Sequence, residues 1–187
     1  DLRKRAKRDH EEYVQKLTRD ELRATLERAK KLFEEKRYSE AREALQNVQK
    51  SEIAGPELRQ EARRELARVE EVEAKAESLV RTARAKEESG SLDEALRIYQ
   101  ECYELWGSSS WGRVAAERLT ELGRDRVRAK MLYDEGVRSY AAGEFAAAVS
   151  RLREAERFKG FQVAELASKK LEDIQAARTR SVELLER

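Results

Sequence analysis

One turn design occurs three times at nearly equal spacing, and this periodicity constrains the fold more than any other feature. "EEKRYSEAREALQNV" from Glu34, "EESGSLDEALRIYQ" from Glu87 and "YAAGEFAAAVSRLREA" from Tyr140 align on Tyr38, Leu92 and Phe145, which lie 54 and 53 positions apart. A second pattern follows each turn: Ala, Leu four later, and an aliphatic residue three after that. It is read at Ala62, Leu66 and Val69, at Ala115, Leu119 and Leu122, and at Ala167, Leu171 and Ile174, with spacings of 53 and 52. Two patterns that share one period, with only single-residue slips, define an internal repeat.

Within a unit the apolar residues step by three and four. Leu92, Ala95, Leu96, Tyr99, Cys102, Tyr103 and Trp106 form one stripe on a helix. Ser91 is placed to cap that helix, with Glu94 three residues on as the partner of a capping box. Gly90 suits the left-handed residue that ends the helix before it. Residues 57–89 contain neither Gly nor Pro, and Pro56 suits a first helical position. Such a helix is roughly 50 Å long at ~1.5 Å per residue. The corresponding stretch 113–142 carries Gly123 and Gly136, where a bend is expected. The chain therefore reads as long helix, short helix and loop, three times over, and then a final helix from about Gln162.

Composition supports helices and narrows the chemistry. With 42% charged and 6% aromatic residues, one Pro and eight Gly, strands are not expected. There is no run of 18 apolar residues, so no segment here reads as a membrane span. The 40 basic and 38 acidic residues nearly cancel, and a chain without a one-signed field is not expected to bind nucleic acid. Cys102 is the single cysteine and reads as a small buried apolar residue. His10 has no second His or Cys at ligand spacing, and the Gly residues mark turns without a phosphate-cradling pattern. Acidic pairs such as Glu70 and Glu71 read as members of surface ion pairs. Neither an enzymatic activity nor a cofactor or metal is expected.

These units resemble the tetratricopeptide repeat, a 34-residue helical hairpin with small residues at positions 8, 20 and 27, Gly at 15, and large apolar residues at 4, 11, 17 and 24. With Ala95 at position 20, Leu79, Ala83, Gly90, Leu92, Tyr99 and Cys102 fall on the pattern, and Lys86 departs at position 11. The third unit matches at Leu132, Gly136, Gly143, Phe145, Ala148, Leu152 and Ala155, departing at Ser139. The first matches at Ala29, Leu32, Tyr38, Ala41, Leu45 and Val48, departing at Thr25 and Lys36. The 53-residue period exceeds the family's by about five helical turns, the excess being the Ala-x-x-x-Leu-x-x-Val segment. The resemblance implies an all-α fold, a short α-solenoid of hairpins joined by long helices. Its units are 22–74, 75–128 and 129–180, flanked by a basic helical segment 1–21 and by 181–187, the start of a further or capping helix.

The resemblance also implies non-catalytic protein binding. Partner peptides of this family commonly lie on positions 2, 5, 9, 12 and 13 of each first helix. Those positions are Arg23, Leu26, Lys30, Phe33 and Glu34 in the first unit, and Glu77, Val80, Arg84, Glu87 and Glu88 in the second. In the third they are Lys130, Tyr133, Val137, Tyr140 and Ala141, a mix of apolar anchors with polar tips. The contact residues singled out are Lys130, Tyr133, Val137 and Tyr140, with Leu26, Lys30, Phe33 and Arg84. The competing reading is that the tyrosines pack against a neighbouring long helix. Leu26, Val80 and Tyr133 stand at the first position of the Lys and Asn set with which some members hold a peptide's terminal carboxylate, so that activity is not expected.

Several segments keep two readings. The loop "LWGSSSWGR", residues 105–113, carries both tryptophans, either folded over the end of the short helix or exposed for contact. The first ten residues carry +3, as a solvated helix start or as the basic flank of a membrane span upstream. The chain opens on Asp1, which reads as a processed product or a piece of something longer. Near Val182 the period places the start of a fourth hairpin, so Val182, Leu184 and Leu185 lack a covering helix, and either truncation or self-association as a homodimer is expected. The function expected is a protein–protein interaction or scaffold module of a larger, bacterial assembly, its partner a protein or peptide. The alternative is a helical spacer or homodimerisation domain of a membrane-associated signalling or secretion protein. A cytoplasmic location is expected first, with periplasmic and membrane-proximal locations as alternatives.

Overall fold

A computed structural model describes residues 2–185, leaving Asp1 of the expected basic segment and Glu186 and Arg187 of the expected final helix start outside the description. The side chains of Leu2, Lys4, Ala6 and Leu185 lie outside it as well. The described residues form seven α-helices and no strand: α1 (Leu2–Glu34), α2 (Tyr38–Lys50), α3 (Gly55–Glu88), α4 (Leu92–Trp106), α5 (Ser110–Ala141), α6 (Phe145–Glu156) and α7 (Gln162–Leu185), with a 3-10 turn at Glu52–Ala54. Long and short helices alternate as the apolar periodicity predicts. Helix α5 runs through both Gly123 and Gly136 without interruption. No helix among the described residues is long and apolar enough to cross a membrane.

The stripes decide which face is buried. Helix α2 turns Tyr38, Ala41, Leu45 and Val48 inward, and α6 turns Ala148, Leu152 and Ala155 inward, each at three- and four-residue steps. Small residues let helices approach closely. A Cβ on Gly136 of α5 would lie 2.7 Å from Leu152 Cγ, so this glycine is the space into which Leu152 fits.

The three corners share one backbone device. At the first, Arg37 N–H bonds Leu32 O (2.8 Å) and Lys36 N–H bonds Phe33 O (3.0 Å). At the second, Ser91 N–H bonds Lys86 O (2.8 Å) and Gly90 N–H bonds Glu87 O (2.9 Å). At the third, Glu144 N–H bonds Ser139 O (2.9 Å) and Gly143 N–H bonds Tyr140 O (3.1 Å). Each pair is a Schellman closure around one left-handed residue: Lys36 at φ 60°, Gly90 at 75° and Gly143 at 79°. The expected capping box at the second corner is replaced, because Ser91 N–H is already given to Lys86 O and the Glu94 carboxylate pairs with Lys86 Nζ (2.6 Å).

The first corner carries a lysine where its counterparts carry glycine, and a Cβ at positive φ costs energy. Lys36→Gly is therefore expected to raise stability by about 1 kcal/mol. That gain would appear as a melting temperature about 2–4 °C higher. An unchanged or lower midpoint would show that the backbone relaxes around Lys36.

By packing, the chain divides into two compact units, Asp1–Ser78 with Cys102–Arg113, and Leu79–Glu101 with Val114–Arg187. In the first, Leu26, Ala29, Leu32, Tyr38, Leu45, Val48, Ala62 and Val69 build a buried core, with Phe33 and Trp106 packed against it. Cys102 is fully buried, its Sγ 3.7 Å from Ala76 O, as a small apolar residue should be. The loop between α4 and α5 is pinned to the first corner: Tyr38 N–H donates to Ser108 Oγ (3.1 Å), and Ser39 Oγ donates to Ser108 O (2.8 Å). Ser109, fully buried, caps α5 by accepting from Gly112 N–H (2.9 Å). The buried Glu73 carboxylate accepts from Ser110 N–H (3.0 Å) and Ser110 Oγ (3.1 Å) and pairs with Arg42 Nη2 (3.1 Å).

The second unit holds a polar network around Glu87. Its carboxylate accepts from Tyr99 OH (2.5 Å) and from Arg118 Nε (3.2 Å), and pairs also with Arg118 Nη2, whose Nη1 reaches Glu121. Burial raises the Glu87 pKa, but the hydrogen bonds from Arg118 and Tyr99 outweigh it and hold the carboxyl below its ordinary value. Burial, and then the Glu87 carboxylate, push Tyr99 up to about 12. The two effects have opposite signs. The Glu87 contribution is full above about pH 4 and is lost as pH falls through its depressed folded value. The Tyr99 contribution is full below about pH 10, where the unfolded phenol titrates, and is lost as pH rises toward about 12. Urea midpoints measured across pH should fall at both ends, and Tyr99→Phe should reduce the alkaline fall, leaving the part that belongs to Tyr38, whose pKa burial also raises. An alkaline fall undiminished in Tyr99→Phe would assign it to other groups.

Candidate protein-binding groove

Helix α5 ends at the third corner, α6 begins there, and α7 returns beside them. Between these elements lies an open groove of 1440 Å³. Tyr140, Phe145, Val149, Leu171, Ile174 and Val182 supply its apolar lining, and Arg153, Glu156, Glu172 and Arg178 stand among the polar residues around it. The two aromatic rings meet edge to face, with centroids 5.6 Å apart and planes at 72°, and Lys170 Nζ sits 4.6 Å from the Tyr140 centroid. Phe145 is 59% exposed and Val182 47%. The mixed charges leave no one-signed field, so the groove suits an uncharged, apolar contact with a polar margin.

The eight residues singled out from the sequence are divided between the two units, Leu26, Lys30 and Phe33 in the first and Arg84, Lys130, Tyr133, Val137 and Tyr140 in the second. Leu26 is fully buried in the first core and is withdrawn as a contact residue, because it has no face to offer solvent; Val80, at the same repeat position, is equally buried. Lys30 is committed to two carboxylates, Glu27 on its own helix (2.7 Å) and Glu61 on α3 (2.7 Å), whose hydrogen bonds raise its pKa. Phe33 packs edge to face on Tyr38, its centroid 5.4 Å away, with the Arg68 guanidinium 4.6 Å over its ring. Arg84 is exposed on α3.

Lys130, Tyr133, Val137 and Tyr140 do share one face of α5, at steps of three and four. Lys130 is exposed and pairs with Asp134 (2.8 Å). Val137 is half-buried. Tyr133 and Tyr140 both pack against the core of Leu152, Ala155, Ala167 and Ile174, which is the competing reading of the tyrosines. Only Tyr140 of the eight lines the groove. The tryptophan loop likewise folds inward at Trp106, which packs on the first core, while Trp111 is half-buried.

Phe145, Leu171 and Ile174 stand at core positions of the repeat and so do not read as site residues; Val149 lies outside the repeat patterns, and Val182 reads only as an uncovered residue near the start of a further helix. No signal in the sequence separates Phe145 from its counterparts Tyr38 and Leu92, because its exposure depends on whether a covering element is present. Compared with family models, with curated proteins and with solved structures, the chain matches none.

Proposed function

We infer that the chain is a non-catalytic protein-binding scaffold module, built of tetratricopeptide-like hairpins on an extended period, whose contact surface is the groove beside the third corner. The observation that carries this reading is the exposure of Phe145, 59%, against 6% for its counterpart Tyr38. A large aromatic ring left in water beside Tyr140 and over apolar groove walls is the composition of an interface centre. The three equivalent corners, and the small residues at the helix crossings, support the likeness to tetratricopeptide hairpins. Phe145→Ala combined with Val182→Ser is expected to weaken capture of a partner protein by about tenfold or more. Because both side chains are exposed, the melting temperature should stay nearly unchanged. Capture that is indifferent to this pair would sink the assignment of the groove.

A second reading, a homodimerising helical spacer, has its own observation. Tyr13, Val14 and Leu17 are 62%, 45% and 47% exposed on one side of α1. Such a stripe suits pairing with a helix of another chain. Sedimentation on dilution discriminates: a dimer abolished by Leu17→Glu favours the spacer, and a monomer at all concentrations favours the groove.

A further inference from the structure

The first two corners are each covered by a later segment of the chain, and the two covers share a chemical pattern. At the first corner Tyr38 N–H is taken by Ser108 Oγ (3.1 Å), two residues after Trp106 at the end of α4. At the second, Leu92 N–H is taken by Gly160 O (3.0 Å), two residues after Phe158, which follows the end of α6. Both covers are a helix end, an aromatic residue, one further residue, then a small residue that accepts the corner's N–H. The covering residues Ser108 and Gly160 are 52 positions apart, in step with the corners they cover. Smallness is required where the turn meets the corner: a Cβ on Gly160 would lie 2.8 Å from Gly90 O.

The third corner has the same closure, but no described residue plays the part of Ser108 or Gly160. Phe145 N–H turns back to Gly143 O (3.0 Å). The residue after each corner's apolar anchor also differs. Ser39 donates to Ser108 O and Asp93 accepts from Gln162 N–H (2.8 Å), whereas the third corner has Ala146, with no polar group to offer. The unclaimed site is therefore more apolar than its counterparts.

We propose that the third corner and its groove dock a partner polypeptide's helix end that carries an aromatic residue followed two positions later by Gly or Ser. The aromatic ring enters the groove beside Tyr140 and Phe145, and the small residue brings a carbonyl or hydroxyl oxygen to Phe145 N–H in place of Gly143 O. A second copy of this chain is not the occupant, because its two segments of this pattern already cover its own corners. The proposal rests on the reading of the groove as a protein contact and adds the chemistry of what enters it.

The test uses the whole chain and a peptide of residues 150–160, which ends in the pattern Phe158, Lys159, Gly160. Saturable shifts of the Phe145 amide in nuclear magnetic resonance spectra are expected. Phe145→Ala in the protein should weaken binding by about tenfold or more, as should Phe158→Ala in the peptide. Absence of saturable shifts, or binding indifferent to Phe158→Ala, overturns the proposal. So does a dimer that buries the Phe145 amide. If capture of a partner protein still depends on Phe145 while the peptide fails, the groove remains a contact surface and only the stated occupant falls. If capture is indifferent to Phe145 as well, both fall.

Discussion

Gly112→Ala is expected to destabilise the first unit by about 3 kcal/mol, at the upper end of what overpacking costs. A Cβ at this position would lie 1.9 Å from Trp106 O and 2.7 Å from Gly107 Cα, so the obstacle is backbone on both sides and no rotamer change relieves it. The same N–H is the one that Ser109 caps, so moving Gly112 away also loosens the start of α5. A lower urea midpoint is the expected readout, with a red shift in the emission of Trp106 and Trp111, which flank the contact. The internal control is Gly123→Ala in the same helix. Nothing lies within 4 Å of a Cβ there, so the change should raise stability by about 1 kcal/mol through helix propensity alone. Two Gly-to-Ala changes in one helix with opposite signs would separate packing from propensity. Equal signs would refute the close approach at Gly112.

Glu73→Ala is expected to cost about 3 kcal/mol, the penalty for leaving a charge and two donors without their partner. Glu73 is 7% exposed, and its carboxylate serves the Arg42 guanidinium, the Ser110 hydroxyl and the first N–H of α5, where a negative charge also meets the positive end of the helix dipole. Lys130→Ala, which breaks the exposed pair with Asp134, should cost no more than about 0.5 kcal/mol. A double-mutant cycle with Arg42→Ala measures how much of the Glu73 effect belongs to the ion pair. A Glu73→Ala protein as stable as the parent would show that water replaces all three partners.

How much of this was legible in the sequence depends on range. The corners were legible because turn chemistry is local: Gly90 and Gly143 announce left-handed residues, and apolar stripes at Leu92 and Phe145 announce the helices that follow. Lys36 hid the first corner's conformation, since lysine is not the residue that position prefers, and only alignment with the other two reveals it. The continuity of α5 through Gly123 and Gly136 was not legible, because a helical glycine marks either a bend or a tight crossing until its neighbour is known. The Glu73 cluster joins residues 31 and 37 positions apart, and among so many carboxylates nothing in the sequence singles out the buried one. Leu26 was assigned to a binding surface by repeat position, but burial in this chain follows its own helix packing. Phe145 was hidden in the opposite sense: an apolar residue at a core position reports what it can bury against, and not whether the neighbour is there.

The first unit is discontinuous along the chain: it takes Asp1–Ser78, leaves out residues 79–101, and resumes at Cys102–Arg113. During synthesis, α1, α2 and the first part of α3 emerge well before the loop that accepts the Tyr38 N–H and the α5 terminus that Glu73 caps. For that interval the first corner is as open as the third is among the described residues. Vectorial folding thus carries a waiting time for the first unit, and a nascent chain halted before Arg113 would present its uncovered corner to whatever protein is near.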